Sequence, residues 1–504
     1  MSNPETRLVR RTFNPSTRAT PQARKALVSG GAGSILEWFD FAVYGAMSAS
    51  VFPIVFFSGS SPAMAGLLSF ATFGVGIFAR PLGGIFFGYL GDRLGRRTVL
   101  LATFILMGIS SAAIGFLPSY GGVGFIAPLL LVTARFLQGF ALGGEATGAQ
   151  LMTMEHAPRD RRAFYAAIMA MGSPASQVLA NGLLALLTFV LSENAFLSWG
   201  WRIPFLMSFA LVLVGIYIRL KVEETPVFKE GRKSMALESA NPAEVIRTYW
   251  PTLIRLILAY SPIVVTFYII SVFGIRYLTT EVGFTRNQTF TIIMVANVVA
   301  VAAIFIGGRL ADIYGRIRIL LLGGIGCLGG ALVFFPIADT GNFPLVLLAT
   351  TVILSLAQFG NAGHGAMCAE AFATQHRYTG SALALTGANL VFAGPLPFLA
   401  QWLTESVTDG STVPITIVWV GVIVIAIVCM SRFMSEGPTL EGEPQVFGRW
   451  VTPEYAALVQ KDAGHIDHVT VDGERVAVDA SPGVAPDVAP GADVPAATEK
   501  GTAR

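Results

Sequence analysis

The chain is poor in charge. Only 13% of its 504 residues are Asp, Glu, Lys or Arg, against about 25% in soluble globular domains. With so few charges, much of the folded surface must face something other than water. The 53% share of hydrophobic residues and the mean hydropathy of +0.63 agree. Lysine is scarcer still: there are six, and none follows a glycine. The Gly-Lys-Ser/Thr core of a phosphate-binding loop is therefore missing, which excludes a nucleotide-driven pump. Neither HExxH nor GxSxG occurs, and the five histidines form no cluster, so the sequence is not that of an enzyme of those kinds. The three cysteines, Cys327, Cys368 and Cys429, lie in apolar stretches without metal-ligand spacing, and their odd number argues against a disulfide framework. They read as inert small apolar residues, and neither a metal nor a cofactor is expected. A net charge of +3 is too small to argue for nucleic acid.

What is present is a succession of long apolar runs. A spanning helix needs about 20 mostly apolar residues. Twelve such segments are read at 27–56, 63–90, 98–118, 124–154, 160–190, 201–220, 251–280, 287–311, 317–338, 343–372, 378–405 and 412–433. The runs are continuous and do not alternate, which argues against a barrel. Arginines and lysines gather in the loops after the even-numbered segments, with Arg202, Arg276 and Arg286 as exceptions. By the positive-inside rule both termini are expected in the cytoplasm. Residues 1–26 read as a basic cytoplasmic arm and not a cleaved signal, because the apolar run behind them is too long. Residues 434–504 carry twelve acids against five bases and no heptads, and are expected to be a mostly disordered cytoplasmic tail.

The polar stretch 221–250 divides the chain into halves, 27–220 and 251–433, that echo each other. Gly88-Tyr89-Leu90-Gly91-Asp92-Arg93-Leu94-Gly95-Arg96-Arg97 recurs as Gly308-Arg309-Leu310-Ala311-Asp312-Ile313-Tyr314-Gly315-Arg316, with the aspartates 220 residues apart. Glu155, Arg162 and Gly172 recur as Glu370, Arg377 and Gly387, 215 residues later. Repeated six-helix halves imply a substrate path at their interface. The expected fold is thus an all-α membrane protein of twelve transmembrane helices in two six-helix bundles.

The two GDRLGRR-like segments resemble those of the major facilitator superfamily. Glu37-Trp38-Phe39-Asp40-Phe41 with Tyr44-Gly45, Phe78-Ala79-Arg80-Pro81-Leu82-Gly83-Gly84, the run from Arg135 through Gln138 and Gly139 to Glu145, and Trp199-Gly200-Trp201-Arg202-Ile203-Pro204-Phe205 resemble its metabolite:proton symporters. Arg377-Tyr378-Thr379-Gly380 is similar to the branch of shikimate transporters. The resemblance covers residues 25–435. It implies a monomeric transporter in a bacterial cell membrane whose partners are protons, a small organic solute and the lipid bilayer. Osmosensing members of the family often end in a coiled coil, which this tail lacks. A compatible-solute symporter or transceptor nevertheless remains the alternative.

An ionisable group inside a spanning helix is a functional candidate by default. Asp40 is the first candidate for the proton, with Glu37 and Glu145 behind it. The resemblance to sugar–proton symporters implies Arg135 as its partner. Arg135 and Gln138 share a helix face with Glu145 and suit a carboxylate or hydroxylated substrate. Tyr44 and Trp38 join them from the first helix, and Asn361, His364 and Asn389 from the second half. Gly139 and Gly143 read as a helix-packing stripe. Asp92, Arg93, Arg96, Arg97, Asp312 and Arg316 read as gate residues. An aspartate there can pair with arginines or cap a helix, and Glu155, Arg162, Glu370 and Arg377 are expected in the same charge network. Ile313 and Ile317 replace two arginines in the second copy, which predicts a weaker latch.

Overall fold

A helix satisfies its own backbone groups, so it is one of only two structures that can span a bilayer. The computed structural model describes residues 21–94, 96–143, 161–210, 212, 242–372, 376–407, 410–434, 468–471 and 474–477. The first half contains α1 (Pro21–Ser50), α2 (Pro62–Leu94), α3 (Arg96–Phe116) and α4 (Ile126–Gly143). α5 (Arg162–Val190) and α6 (203–210) complete it. The second half contains α7 (Pro242–Thr280), α8 (Arg286–Tyr314), α9 (Arg316–Ala338), α10 (Phe343–Glu370), α11 (377–407) and α12 (Val413–Phe433). Nine helices among the described residues are long and apolar enough to cross a membrane. The fold is two six-helix bundles of a multi-pass membrane protein. With an even number of spans both ends of the bundle lie on one side, called here the terminus side; the opposite is the far side.

Large apolar side chains line the outside of the bundles. Phe125, Phe116, Ile85 and Phe189 are 73–81% exposed, a surface that suits lipid and not water. The halves meet where α1 packs on α7, α2 on α11, and α5 on both α8 and α10. One continuous buried core runs through that seam and includes Phe41, Phe73, Tyr268, Val272 and Phe273.

Several features differ from the sequence reading, and α1 already begins at Pro21, inside the stretch read as a basic arm. α7 starts at Pro242, inside the stretch read as a linker. Its first turns bury Val245 and Tyr249, and the chain kinks at Tyr249 (φ −113°, ψ 15°) shortly before Pro251, whose ring cannot sit in a regular helix. The two repeated motifs are also more helical than loops. α2 runs to Leu94 and α3 starts at Arg96, while α8 and α9 are joined by Gly315 alone, at φ 99°. A side chain is disfavoured at that angle, which is why a glycine stands there. Finally, α7 and α11 contain π-helical turns at Ile269–Phe273, Asn389–Ala393 and Trp402–Val407, a distortion common near functional sites. Beyond the bundles, His468–Val471 and Glu474–Ala477 pair as an antiparallel hairpin, an element that the reading of the tail did not contain.

Candidate functional site

The middle of the first half holds a chain of buried polar side chains from three helices. Asp40 on α1 is 1% exposed. Its Oδ2 accepts a hydrogen bond from Ser111 Oγ of α3 at 2.5 Å. Ser111 in turn accepts from Gln138 Nε2 of α4 at 2.7 Å. Gln138 Oε1 accepts from Arg135 Nη1 at 2.6 Å. Asp40 and Arg135 are thus linked but not in contact, which corrects the simple ion pair expected between them. The serine of an apolar α3 carried no signal that singled it out in the sequence.

Hydrogen-bonding capacity is left over at both ends of this chain. Asp40 Oδ1 and the Nε and Nη2 groups of Arg135 are buried without hydrogen-bond partners. Leaving such groups unmatched costs several kcal/mol in order of magnitude for a charge, so the site is poised to receive something polar. The Arg135 guanidinium is held by aromatic faces. Its Cζ lies 3.9 Å from the ring centre of Tyr44, 4.9 Å from Phe41 and 5.3 Å from Phe73. Tyr44 is fixed by donating its hydroxyl proton to Thr72 at 2.7 Å. A second cation, Arg80 of α2, sits 4.7 Å from Phe41 and 5.9 Å from Trp38. Close contact between α2 and α4 sets these positions. A Cβ on Gly139 or Gly143 would overlap the carbonyls of Gly76 and Arg80, so the glycine stripe packs helices, as read.

The second-half candidates stand apart from this chain. His364 stacks on Tyr260 at 4.0 Å and lies 3.4 Å from Cys368 Sγ. Asn361 donates to Gln358 at 2.9 Å. Asn389 opens a π turn and donates to the carbonyl of Leu385. No described hydrogen bond or ring contact joins these three to the Asp40 chain. The side chains of Glu37, Asp92, Arg93, Arg96 and Arg97, and all of Glu145 and Glu155, lie outside the described residues.

On the terminus side the second motif copy ties the halves together. Asp312 accepts from the backbone N–H groups of Ala163 (2.8 Å) and Phe164 (2.9 Å) at the start of α5. A carboxylate here meets both orphan donors and the positive end of the helix dipole. Gly308, one turn earlier, lets α8 come this close: a Cβ there would lie 2.7 Å from that of Ala167. The spacing Gly-x-x-x-Asp therefore works as one unit, approach then cap. Beside it Glu370 of α10 binds Arg316 of α9 at 2.8 Å and faces Arg162 of α5 at 3.8 Å. Arg377 opens α11.

The far side has ties of its own, which the sequence reading recorded only as exceptions to a charge rule. Arg286 pairs with Glu193 and donates to the carbonyl of Ser50, the last residue of α1, from Nη2 at 3.2 Å and Nε at 3.3 Å. Arg276 donates to Gln401 at 2.9 Å, to Glu405 at 3.0 Å and, across the seam, to the carbonyl of Pro62 at 3.2 Å. Arg202 donates to the carbonyls of Ser198 and Leu117. Each of these arginines is spent on a local acid or carbonyl.

Comparison with known proteins accords with this architecture. The family model of the Major Facilitator Superfamily matches residues 33–341 and 256–459, and the chain belongs to that superfamily. Its relatives are transporters and not enzymes. The Escherichia coli (strain K12) inner membrane metabolite transport protein YhjE is 36% identical over 397 residues, covering 77% of this chain and 89% of the relative. The shikimate transporter of the same organism is 35% identical over 390 residues, with the same coverage. The Salmonella typhimurium (strain LT2) proline/betaine transporter is 33% identical over 398 residues, 77% of this chain and 79% of its own. Among solved structures, the Escherichia coli xylose transporter XylE superposes with a TM-score of 0.66 at 17% identity, covering 84% of this chain and all of that one. That likeness concerns the fold.

Proposed function

We propose that this protein carries a small organic acid and a proton together across the membrane by alternating access, with its terminus side in the cytoplasm. The observation that carries this reading is the chain Asp40–Ser111–Gln138–Arg135. It links a carboxylate that can hold a proton to a guanidinium with unused donors. A charged Asp40 accepts the Ser111 hydroxyl. When the proton sits on Oδ2, Asp40 becomes the donor there and the Ser111 proton turns away. The change is passed through Gln138 to the guanidinium that would hold the substrate carboxylate. Binding of proton and substrate is coupled in this way without an ion pair between Asp40 and Arg135. The ties made by Asp312 and Glu370 on one side, and those made by Arg286 and Arg276 on the other, are the contacts that have to open in alternation. Asp92, Arg93, Arg96 and Arg97 belong to the terminus-side gate on this reading.

Asp40→Asn tests it, because the amide keeps size and polarity but cannot ionise. In proteoliposomes the variant should lose accumulation driven by a pH gradient while retaining exchange of labelled for unlabelled substrate. Accumulation that persists would move the proton to Glu37 or Glu145. Symport of a zwitterion such as proline or betaine is the competing reading, because relatives named for those solutes match over the same share of the chain.

A further inference from the structure

The Arg80 guanidinium has no part in the mechanism above, and its environment is unusual. It shares the Phe41 ring with Arg135: the two Cζ atoms lie 4.7 and 4.9 Å from the same ring centre. Like charges this close repel, and Tyr268 of α7 packs against the same Phe41 ring and against Phe73. No described carboxylate pairs with either one. Among the described residues the acid near Arg135 is Asp40, which is turned onto Ser111. Nε of Arg80 and Nε and Nη2 of Arg135 are buried without hydrogen-bond partners. Two cations in an apolar seam with unmatched donors make a site that is incomplete until an anion arrives.

Resting on the transport reading above, we propose that Arg80 is a second substrate contact, and that Arg80 and Arg135 together select a carboxylate anion and reject zwitterions. A carboxylate offers four lone-pair directions and can accept from both guanidiniums at once. A quaternary or secondary ammonium group would need free aromatic faces for its own cation–π contact. Here two guanidiniums already lie against four of the rings. Arg135 covers Tyr44 and lies against Phe41 and Phe73, and Arg80 lies against Phe41 and Trp38. An ammonium placed among them meets two like charges. The site charge gives the same answer. With the proton on Asp40, the two arginines leave an excess of positive charge among the described groups, which a carboxylate anion reduces and a zwitterion does not.

The test is thermal stabilisation of the purified full chain by benzoate, shikimate, succinate, citrate, proline and glycine betaine, titrated for wild type, Arg80→Gln and Arg80→Lys. At least one of the four carboxylates should stabilise wild type, and proline and betaine should not. Arg80→Gln should bind that carboxylate at least tenfold more weakly, with Arg80→Lys in between. The proposal is overturned if none of the four carboxylates binds, if a zwitterion binds as well as the best of them, or if Arg80→Gln binds that carboxylate like wild type. Loss of the folded variant in Arg80→Gln leaves Arg80→Lys and the wild-type preference to decide. Uptake in proteoliposomes separates this from the transport reading. A pH-driven zwitterion carrier keeps symport and refutes the anion site. An Arg80-dependent carboxylate that is bound but not driven by pH keeps the site and refutes symport.

Discussion

Asp312→Asn isolates the terminus-side tie. The aspartate accepts two backbone N–H groups at 2.8 and 2.9 Å, one on each oxygen. Asparagine has one carbonyl oxygen, and its NH2 group would face a second donor. One hydrogen bond to a charged acceptor is lost, at about 1.5–3 kcal/mol. The favourable charge at the start of α5 is lost as well, for about 0.3–1 kcal/mol. The tied arrangement should therefore weaken by roughly 2–4 kcal/mol, or about thirty- to several-hundred-fold at 1.4 kcal/mol per factor of ten. The lower end is the better expectation, because Asp312 is half-buried and gains water when the halves part. Spin labels at Tyr89 on α2 and Tyr314 on α8, both exposed and in opposite halves, report the separation by pulsed electron resonance. The variant should shift its distance distribution toward longer values without ligand. A distribution identical to that of the parent would refute the claim that this cap holds the halves together.

Two further predictions concern other parts of the chain. Arg286→Gln removes the pairing with Glu193 and weakens the hold on Ser50. It should make cysteines placed on the far side of the seam react faster with a membrane-impermeant thiol reagent, and unchanged reactivity would show that the tie does not gate. Truncation after about residue 440 should leave uptake nearly intact, since the tail is too rich in charge and proline to bury a core. A well-expressed truncation without uptake would give the tail a part in transport.

Much was legible from the sequence alone, because a bilayer constrains a chain so strongly. Apolar runs long enough to span, broken by glycine, proline and charge, mark out helices whatever their neighbours do. The repeated Gly-x-x-x-Asp segments and the buried Asp40, Arg135 and Gln138 stand out for the same reason, since polar groups in such runs are expensive. Partner choice was not legible. Hydrophobic patterning gives a residue's depth and face but not which helix stands opposite. Only the tertiary structure sets Ser111 between Asp40 and Gln138, brings Arg80 and Arg135 to the Phe41 ring, and aims Asp312 at backbone groups 148 and 149 residues away. It also explains Arg276 and Arg286, which broke the charge rule. Their positive charge is spent on Glu405, Glu193 and nearby carbonyls, and a contact made between distant segments leaves no trace in the local sequence.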